Sequence, residues 1–323
     1  METQRLSAPE GIAEAARLLR AGALVAFPTE TVYGLGALAL EALAVRGIYA
    51  AKGRPAKNPL IVHVLDAQAA RALAADWPAL AQRLCDAFWP GPLTLVLPRT
   101  SQVPDEVTAG GPTVAIRAPS HPVARALLAA VGAPLAAPSA NRAEHVSPTL
   151  ASHALADLDG RIDAVLDGGP CALGIESTVL QLAPSGPRLL RAGAISRAEL
   201  ERWCGPIAVG PEAGSVAPSP GLQARHYAPA GWVQLAPVPG LWAWVHGAPA
   251  PPGPLGALVY SDAGAALPAR IVRLPADAAG YAHGLYAGLR ELEAHGCRSI
   301  AVEAVPEGPE WEAIADRLQR AAG

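Results

Sequence analysis

Lys52 and Lys57 bracket an arginine in Lys52-Gly53-Arg54-Pro55-Ala56-Lys57-Asn58, and no other lysine occurs among the 25 basic residues of the chain. Elsewhere arginine does every cationic job. A compact, strongly hydrated ammonium suits a point contact with a phosphate, a role the planar guanidinium does not copy. A helix C-terminus favours cations, which accounts for one of the three here. Three cations within six residues, with Asn58 beside them, read as a grip for a triphosphate.

Other polar residues stand at the ends of apolar runs, flanked by Gly or Pro. Pro28-Thr29-Glu30-Thr31-Val32-Tyr33-Gly34-Leu35-Gly36 offers hydroxyls and small residues that let backbone approach a ligand, or is an ordinary strand-to-helix turn with a threonine cap. His63 lies inside the run Leu60–Leu65, where a lone histidine is commonly a satisfied core residue. Arg117 closes Thr113–Arg117, a placement suited to bidentate capture of a carboxylate or to a rim salt bridge. Ser139 and Asn141 follow Pro134–Ala136, with Ser147 shortly after. Gly174–Thr178 leads into another apolar run, and Arg191 ends the last of this region. No single residue decides the matter. Their joint placement at strand ends of one sheet, where open α/β sheets bind ligands, carries the reading.

Several chemistries lack their sequence signatures. There is no G-x-x-x-x-G-K-[ST] loop, no G-x-S-x-G and no HExxH. Gly34-Leu35-Gly36 lacks the third glycine of a dinucleotide fingerprint, Ala39 standing in its place. The eight histidines do not cluster with cysteine or acids at metal-ligand spacing, so no protein-built metal site is expected.

The elements that must position these residues follow from periodicity. Apolar runs at 24–27, 60–65, 93–97, 113–117, 164–166, 178–182 and 188–191 read as strands. Residues 41–51, 66–87 (broken near Pro78), 121–131 and 196–203 read as helices. This predicts an α/β domain around a twisted mixed β-sheet over 1–204. Residues 205–231 are rich in Gly-Pro pairs, Ser and Ala and read as an extended linker, although Arg225-His226-Tyr227 looks too functional for a spacer. Residues 232–323 predict a smaller α/β unit with strands near 241–245, 256–260, 270–274 and 299–303 and helices at 277–295 and 309–321.

Composition agrees with a folded two-domain chain. The 323 residues are 51% hydrophobic and 16% charged, which excludes disorder. No window offers 18 unbroken apolar residues, and the first twenty lack the apolar core of a signal peptide, so a cytoplasmic location without a membrane span is expected. Four scattered cysteines without paired spacing read as reduced thiols. A net charge of −3 argues against a broad polyanion-binding surface but leaves room for a local basic pocket.

Taken in order, PTETVYGLG, KGRPAKNPLIVH, FWPGPLT, VAIRAPSHP, APSANRAEHVSPT, GIESTV and LLRAGAI closely resemble the Sua5/YrdC/YciO family over residues 7 to 200. The signature Lys-x-Arg followed by Ser-x-Asn stands here as Lys52, Arg54, Ser139 and Asn141. The segment from Ser219 through Pro229, followed by a small C-terminal domain, resembles the two-domain Sua5 type. It departs from the family pattern at Leu222 and Ala224.

The resemblance implies a YrdC-like fold with a Rossmann-like C-terminal domain, and synthesis of L-threonylcarbamoyl-AMP and pyrophosphate from L-threonine, bicarbonate and ATP. The product would pass to a tRNA threonylcarbamoyl transferase for t6A modification at position 37. Contact with tRNA itself is permitted but not required. By the same resemblance Thr31, His63, Arg117, Ala137 and Ser177 form the threonine pocket. Arg54, Asn58, Ala115, Ser139, Asn141, Ser147, Arg191, His226 and Tyr227 bind ATP, and Lys52 and Arg54 are catalytic. Mg²⁺ is implied, bound mainly through phosphates, and the linker is implied to cross the active site. A non-catalytic RNA-binding or ribosome-associated module is the rival reading; it would need cations spread over a face.

Overall fold

The computed structural model describes residues 2–211, 227–247 and 251–323, and contacts divide the chain into two compact units. The first holds the described residues up to 211 except 144–147 and 173–175, which cluster with the second.

In the first unit eleven strands are β1 Gln4–Ser7, β2 Val25–Phe27, β3 Gly34–Leu38, β4 Ile61–His63, β5 Leu93–Pro98, β6 Thr113–Arg117, β7 Leu135–Ala136, β8 Ala164–Asp167, β9 Thr178–Ala183, β10 Gly186–Arg191 and β11 Ala208–Val209. They form one sheet in the order β1-β8-β2-β3-β7-β4-β6-β5-β9-β10-β11. Parallel pairs (β4 with β6, β5 with β9) alternate with antiparallel ones (β4 with β7, β5 with β6), giving the mixed sheet that the sequence predicts.

Side chains alternate across a strand, and the two faces of the central strands differ accordingly. Val62, Leu95, Leu97, Val114, Ile116 and Leu180 enter the large core, where they meet Val45 and Ile48 of the helix Ala42–Lys52, Leu84 of Ala79–Phe88 and Leu158 of Ala151–Leu158. A separate core joins the helices Ile12–Arg20 and Pro122–Val131 to Val25, Phe27 and Leu166. The other face of the central strands carries a small apolar floor of Ile61, Val96, Ala115, Val179 and Leu190. On that face, two residues along from Ile61, Ala115 and Val179, stand His63, Arg117 and Ser177.

Several details differ from the periodicity. Gly34–Leu38 is strand β3, not the beginning of a helix, because its small residues fit beside β2: a Cβ on Gly36 would lie 2.8 Å from the Phe27 ring. The expected strand at 60–65 keeps three residues. Within the segment read as linker, Ala208–Val209 pairs in parallel with β10, and 212–226 lies outside the described residues.

The second unit holds a four-stranded, all-parallel sheet of β12 Trp232–Ala236, β13 Leu255–Val259, β14 Arg270–Arg273 and β15 Ser299–Glu303, in the order β12-β15-β13-β14. The helices Ala278–Ala294 and Glu312–Ala322 match expectation to within a few residues. The strand expected near 241–245 is instead part of the helix Val238–Val245, and the missed strand is 232–236. An apolar run as short as Leu-Trp-Ala-Trp-Val fits either element. Proline in the first helical turn decides for helix.

Candidate active site

Arg117 ends β6 directly beside His63, the end of β4. Its guanidinium is held on three sides. Nε donates to the Gly91 carbonyl (3.3 Å), Nη1 donates to the Thr31 hydroxyl (2.9 Å), and Nη2 lies 2.6 Å from Glu30 Oε1 as a close ion pair. Burial opposes ionisation of Glu30, but the Arg117 charge and the Ser120 N–H (3.1 Å to Oε2) outweigh it and hold the carboxyl below the usual carboxylate range.

Thr31 is fixed in turn. Thr29 Oγ1 donates to the Val32 carbonyl (2.6 Å) and lies 2.8 Å from Thr31 Oγ1. With the Thr29 proton so engaged, the Thr31 hydroxyl donates to Thr29 and accepts from Arg117. His63 is buried edge-on to Phe27, and burial together with the Arg117 charge lowers its pKa to about 3. Its ring is neutral at physiological pH, and Nδ1 makes no hydrogen bond among the described residues. Its side chain is therefore a neutral hydrogen-bonding group, not a cation.

Ser177 stands where β9 enters beside β5. Its hydroxyl is 2.7 Å from Thr94 Oγ1 and accepts from Arg191 Nη2 (3.1 Å), while the Arg191 Nε and Nη2 also donate to the Ser177 carbonyl. Gly193 packs directly against this turn: a Cβ there would lie 2.3 Å from Thr178 N and 2.6 Å from Glu176 O. Ala115 and Ala137 are buried, and the Ala137 N–H donates to the Ile61 carbonyl at 2.9 Å, which sets β7 beside β4.

The cationic motif folds into a second cluster. Lys52 ends its helix as a buried residue, and Nζ donates to the Ser139 carbonyl (2.6 Å) and to the Asn141 carbonyl. Arg54 folds back on its own loop, donating to the carbonyls of Asn58 (3.1 Å) and Pro59 (2.9 Å). Asn58 is buried while Lys57 is exposed. Ser139 in turn bridges to Gly34 at the start of β3, next to the Thr29–Thr31 loop. The structure thus brings Thr31, His63 and Arg117 together, joins Ser177 to Arg191, and ties Lys52 to Ser139 and Asn141.

Ser147 and Tyr227 cluster with the second unit. Ser147 is buried, its carbonyl accepting from Arg290. Tyr227 is stacked on Tyr286 (centroids 5.8 Å apart) with the Arg317 guanidinium 5.0 Å over its ring. His226 lies outside the described residues. Of the hydroxyls in PTETVYGLG, that of Tyr33 is engaged structurally, donating to the Gly169 carbonyl at 2.7 Å. Sequence reasoning did not single out Glu30 or Thr94. Glu30 sits inside PTETVYGLG and Thr94 ends FWPGPLT, and an acid between two threonines in a Gly/Pro-flanked loop is the signal that marks Glu30.

Comparison with known proteins matches this arrangement. Residues 17–193 fit the Sua5/YciO/YrdC family model, described as telomere recombination, and residues 195–323 fit a model described as threonylcarbamoyl-AMP synthase, C-terminal domain. The chain is 52% identical over 222 residues to the threonylcarbamoyl-AMP synthase of Bacillus subtilis, covering 68% of this chain, and 48% identical over 219 residues to that of Pyrococcus abyssi, covering 67%. In both cases the match spans 64% of the relative's own length. The crystal structure of P. abyssi Sua5 complexed with L-threonine superposes with a TM-score of 0.90 at 35% identity, covering 100% of this chain and 98% of that one. With both parts of the chain matched, this chain belongs to the Sua5/YrdC/YciO family.

Proposed function

We propose that this chain is a threonylcarbamoyl-AMP synthase, joining L-threonine, bicarbonate and ATP into L-threonylcarbamoyl-AMP with release of pyrophosphate. The observation that carries the reading is the set of His63, Arg117 and Ser177 at strand ends on one sheet face, with Thr31 hydrogen-bonded to Arg117, a cation and neutral hydrogen-bonding groups suited to a hydroxy amino acid. The names of the relatives, and the threonine in the P. abyssi complex, support it.

The residues suit the chemistry. The threonine amine and bicarbonate condense to a carbamate with loss of water, and the carbamate oxygen attacks the α-phosphorus and expels pyrophosphate. No enzyme nucleophile is needed, so the protein's work is positioning and charge neutralisation. Arg117 takes the threonine carboxylate, while Thr31, His63 and Ser177 meet the hydroxyl and amine. Because His63 is neutral with a low pKa, it serves as a hydrogen-bonding partner and not as a proton reservoir.

Lys52 and Arg54 are assigned to the phosphates, with Asn58, Ala115, Ser139, Asn141, Ser147, Arg191, His226 and Tyr227 on the nucleotide. Lys52 and Arg54 donate to backbone carbonyls, the kind of acceptor that phosphate oxygens also supply. Among the described residues no group of three or more His, Cys, Asp or Glu gathers to hold a metal ion. Mg²⁺ is proposed to be held mainly through the nucleotide phosphates. No helix of the described residues is long and apolar enough to cross a membrane. A cytoplasmic location, and transfer of the product to a tRNA threonylcarbamoyl transferase, complete the proposal. The rival RNA-binding module gains nothing from these cations, since Lys52, Arg117 and Arg191 are buried rather than spread over a surface.

The test is pyrophosphate release with each substrate omitted in turn. Release that requires threonine, bicarbonate and ATP together is expected. Release independent of threonine or of bicarbonate would overturn the assignment.

A further inference from the structure

We propose that Glu30 is a positioning residue for the amino-acid carboxylate: paired with Arg117, it fixes which edge of the guanidinium is presented to the substrate. This rests on the reading of Arg117 as the carboxylate-binding residue. Glu30 and Arg117 lie 87 residues apart in the chain and are both buried, with side chains 8% and 4% exposed. Each is anchored independently of the other. Glu30 Oε2 accepts the Ser120 N–H, and Arg117 is pinned through Nε to Gly91 and through Nη1 to Thr31.

Those two contacts are single hydrogen bonds, to a loop carbonyl and to a hydroxyl, and neither sets an opposite charge against the guanidinium. Glu30 adds that charge beside Nη2, from its own fixed position. With the guanidinium held in one orientation, its N–H groups not taken by Gly91, Thr31 and Glu30 keep a constant direction, as two-point recognition of a carboxylate requires.

A carboxylate does this where an amide would not do it as well. Glutamine fills the same volume, but its single carbonyl oxygen can face either Arg117 Nη2 or the Ser120 N–H, and its NH2 then meets the other donor. The glutamate adds charge directed at Nη2, which strengthens and shortens the contact that sets the orientation. The effect belongs to recognition of the carboxylate end of the substrate. The hydroxyl and amine are met by other groups, Thr31, His63 and Ser177.

The experiment compares the full-length protein with Glu30→Gln and Glu30→Asp, measuring threonine-dependent pyrophosphate release together with inhibition by L-threonine amide, which lacks the carboxylate charge. Glu30→Gln is expected to raise KM for threonine about 10-fold, with KM for ATP and the inhibition constant of the amide each within about twofold. Glu30→Asp, which keeps the charge on a shorter arm, is expected to recover part of the loss. An unchanged threonine KM in Glu30→Gln would overturn the proposal. So would a parallel loss for threonine and its amide, which would mean a loosened pocket. A wild-type protein whose release does not depend on threonine would overturn the functional reading itself, a result visible before any variant is made.

Discussion

Arg117 and Glu30 meet at 2.6 Å as a buried ion pair, and the same guanidinium donates to Thr31 at 2.9 Å. In the proposed reading, stability and recognition share one side chain. Truncating Arg117 strands the Glu30 charge away from water, and breaking such a pair from one side costs on the order of 3–5 kcal/mol. Arg117→Ala should lower the unfolding free energy by about that amount in a denaturant titration. The double variant Arg117→Ala, Glu30→Gln should be the more stable of the two, since it leaves no buried charge. A single variant as stable as wild type would mean that the pair is not buried in solution.

The acid side of the stability profile follows from Glu30 and His63. Both have folded pKa values below their unfolded ones, so each binds fewer protons when folded, and stability rises with pH between the two values. The His63 contribution is fully present above about pH 6.5 and is lost as pH falls towards about 3. That of Glu30 is present above its unfolded value of about 4.3 and disappears as pH drops through the lower folded value. A series of unfolding curves from pH 7 downward should show this limb, and His63→Gln should flatten its upper part. An unaltered slope in that variant would assign the protons elsewhere.

Ser177→Ala deletes the hydroxyl that Arg191 and Thr94 both address, but leaves the two bonds from Arg191 to the Ser177 carbonyl in place. The expected stability loss is modest, roughly 1 kcal/mol. The KM for threonine should rise by about 10-fold for one lost hydrogen bond to the substrate hydroxyl. Thermal melts and steady-state kinetics on the same preparation separate the two effects.

Gly193→Ala places a Cβ 2.3 Å from Thr178 N and 2.6 Å from Glu176 O, both backbone atoms that have little room to yield. The turn carrying Ser177 must shift. A loss above about 2 kcal/mol together with a sharp drop in threonine-dependent turnover is expected. A stable, fully active variant would contradict the packing described for this turn.

Much of this was legible in the residues. The apolar runs 93–97, 113–117 and 178–182 fold as strands because their alternation matches a sheet with one deep core, and Arg117 closes its strand as its position suggested. The Glu30–Arg117 pair was not legible, because neither residue type announces a partner 87 positions away. Val238–Val245 was misread because two tryptophans and a valine favour strand by propensity, while the prolines beside them favour the first turn of a helix. Strand β3 was missed because glycine weakens a strand by itself, and the space next to Phe27 that demands it exists only after folding. Lys52 was chosen as a phosphate ligand from its rarity; its two carbonyl contacts belong to a turn that folds 87 residues further on.

The contrast between the two lysines has a practical consequence. The Lys57 side chain is open to solvent, whereas that of Lys52 is enclosed with its ammonium on the Ser139 and Asn141 carbonyls. An amine-directed acylating reagent will modify Lys57 quickly and reach Lys52 at the rate at which that turn opens. Mass spectrometry of the two adducts turns the hexapeptide into a clock for local opening, with its own internal standard five residues away.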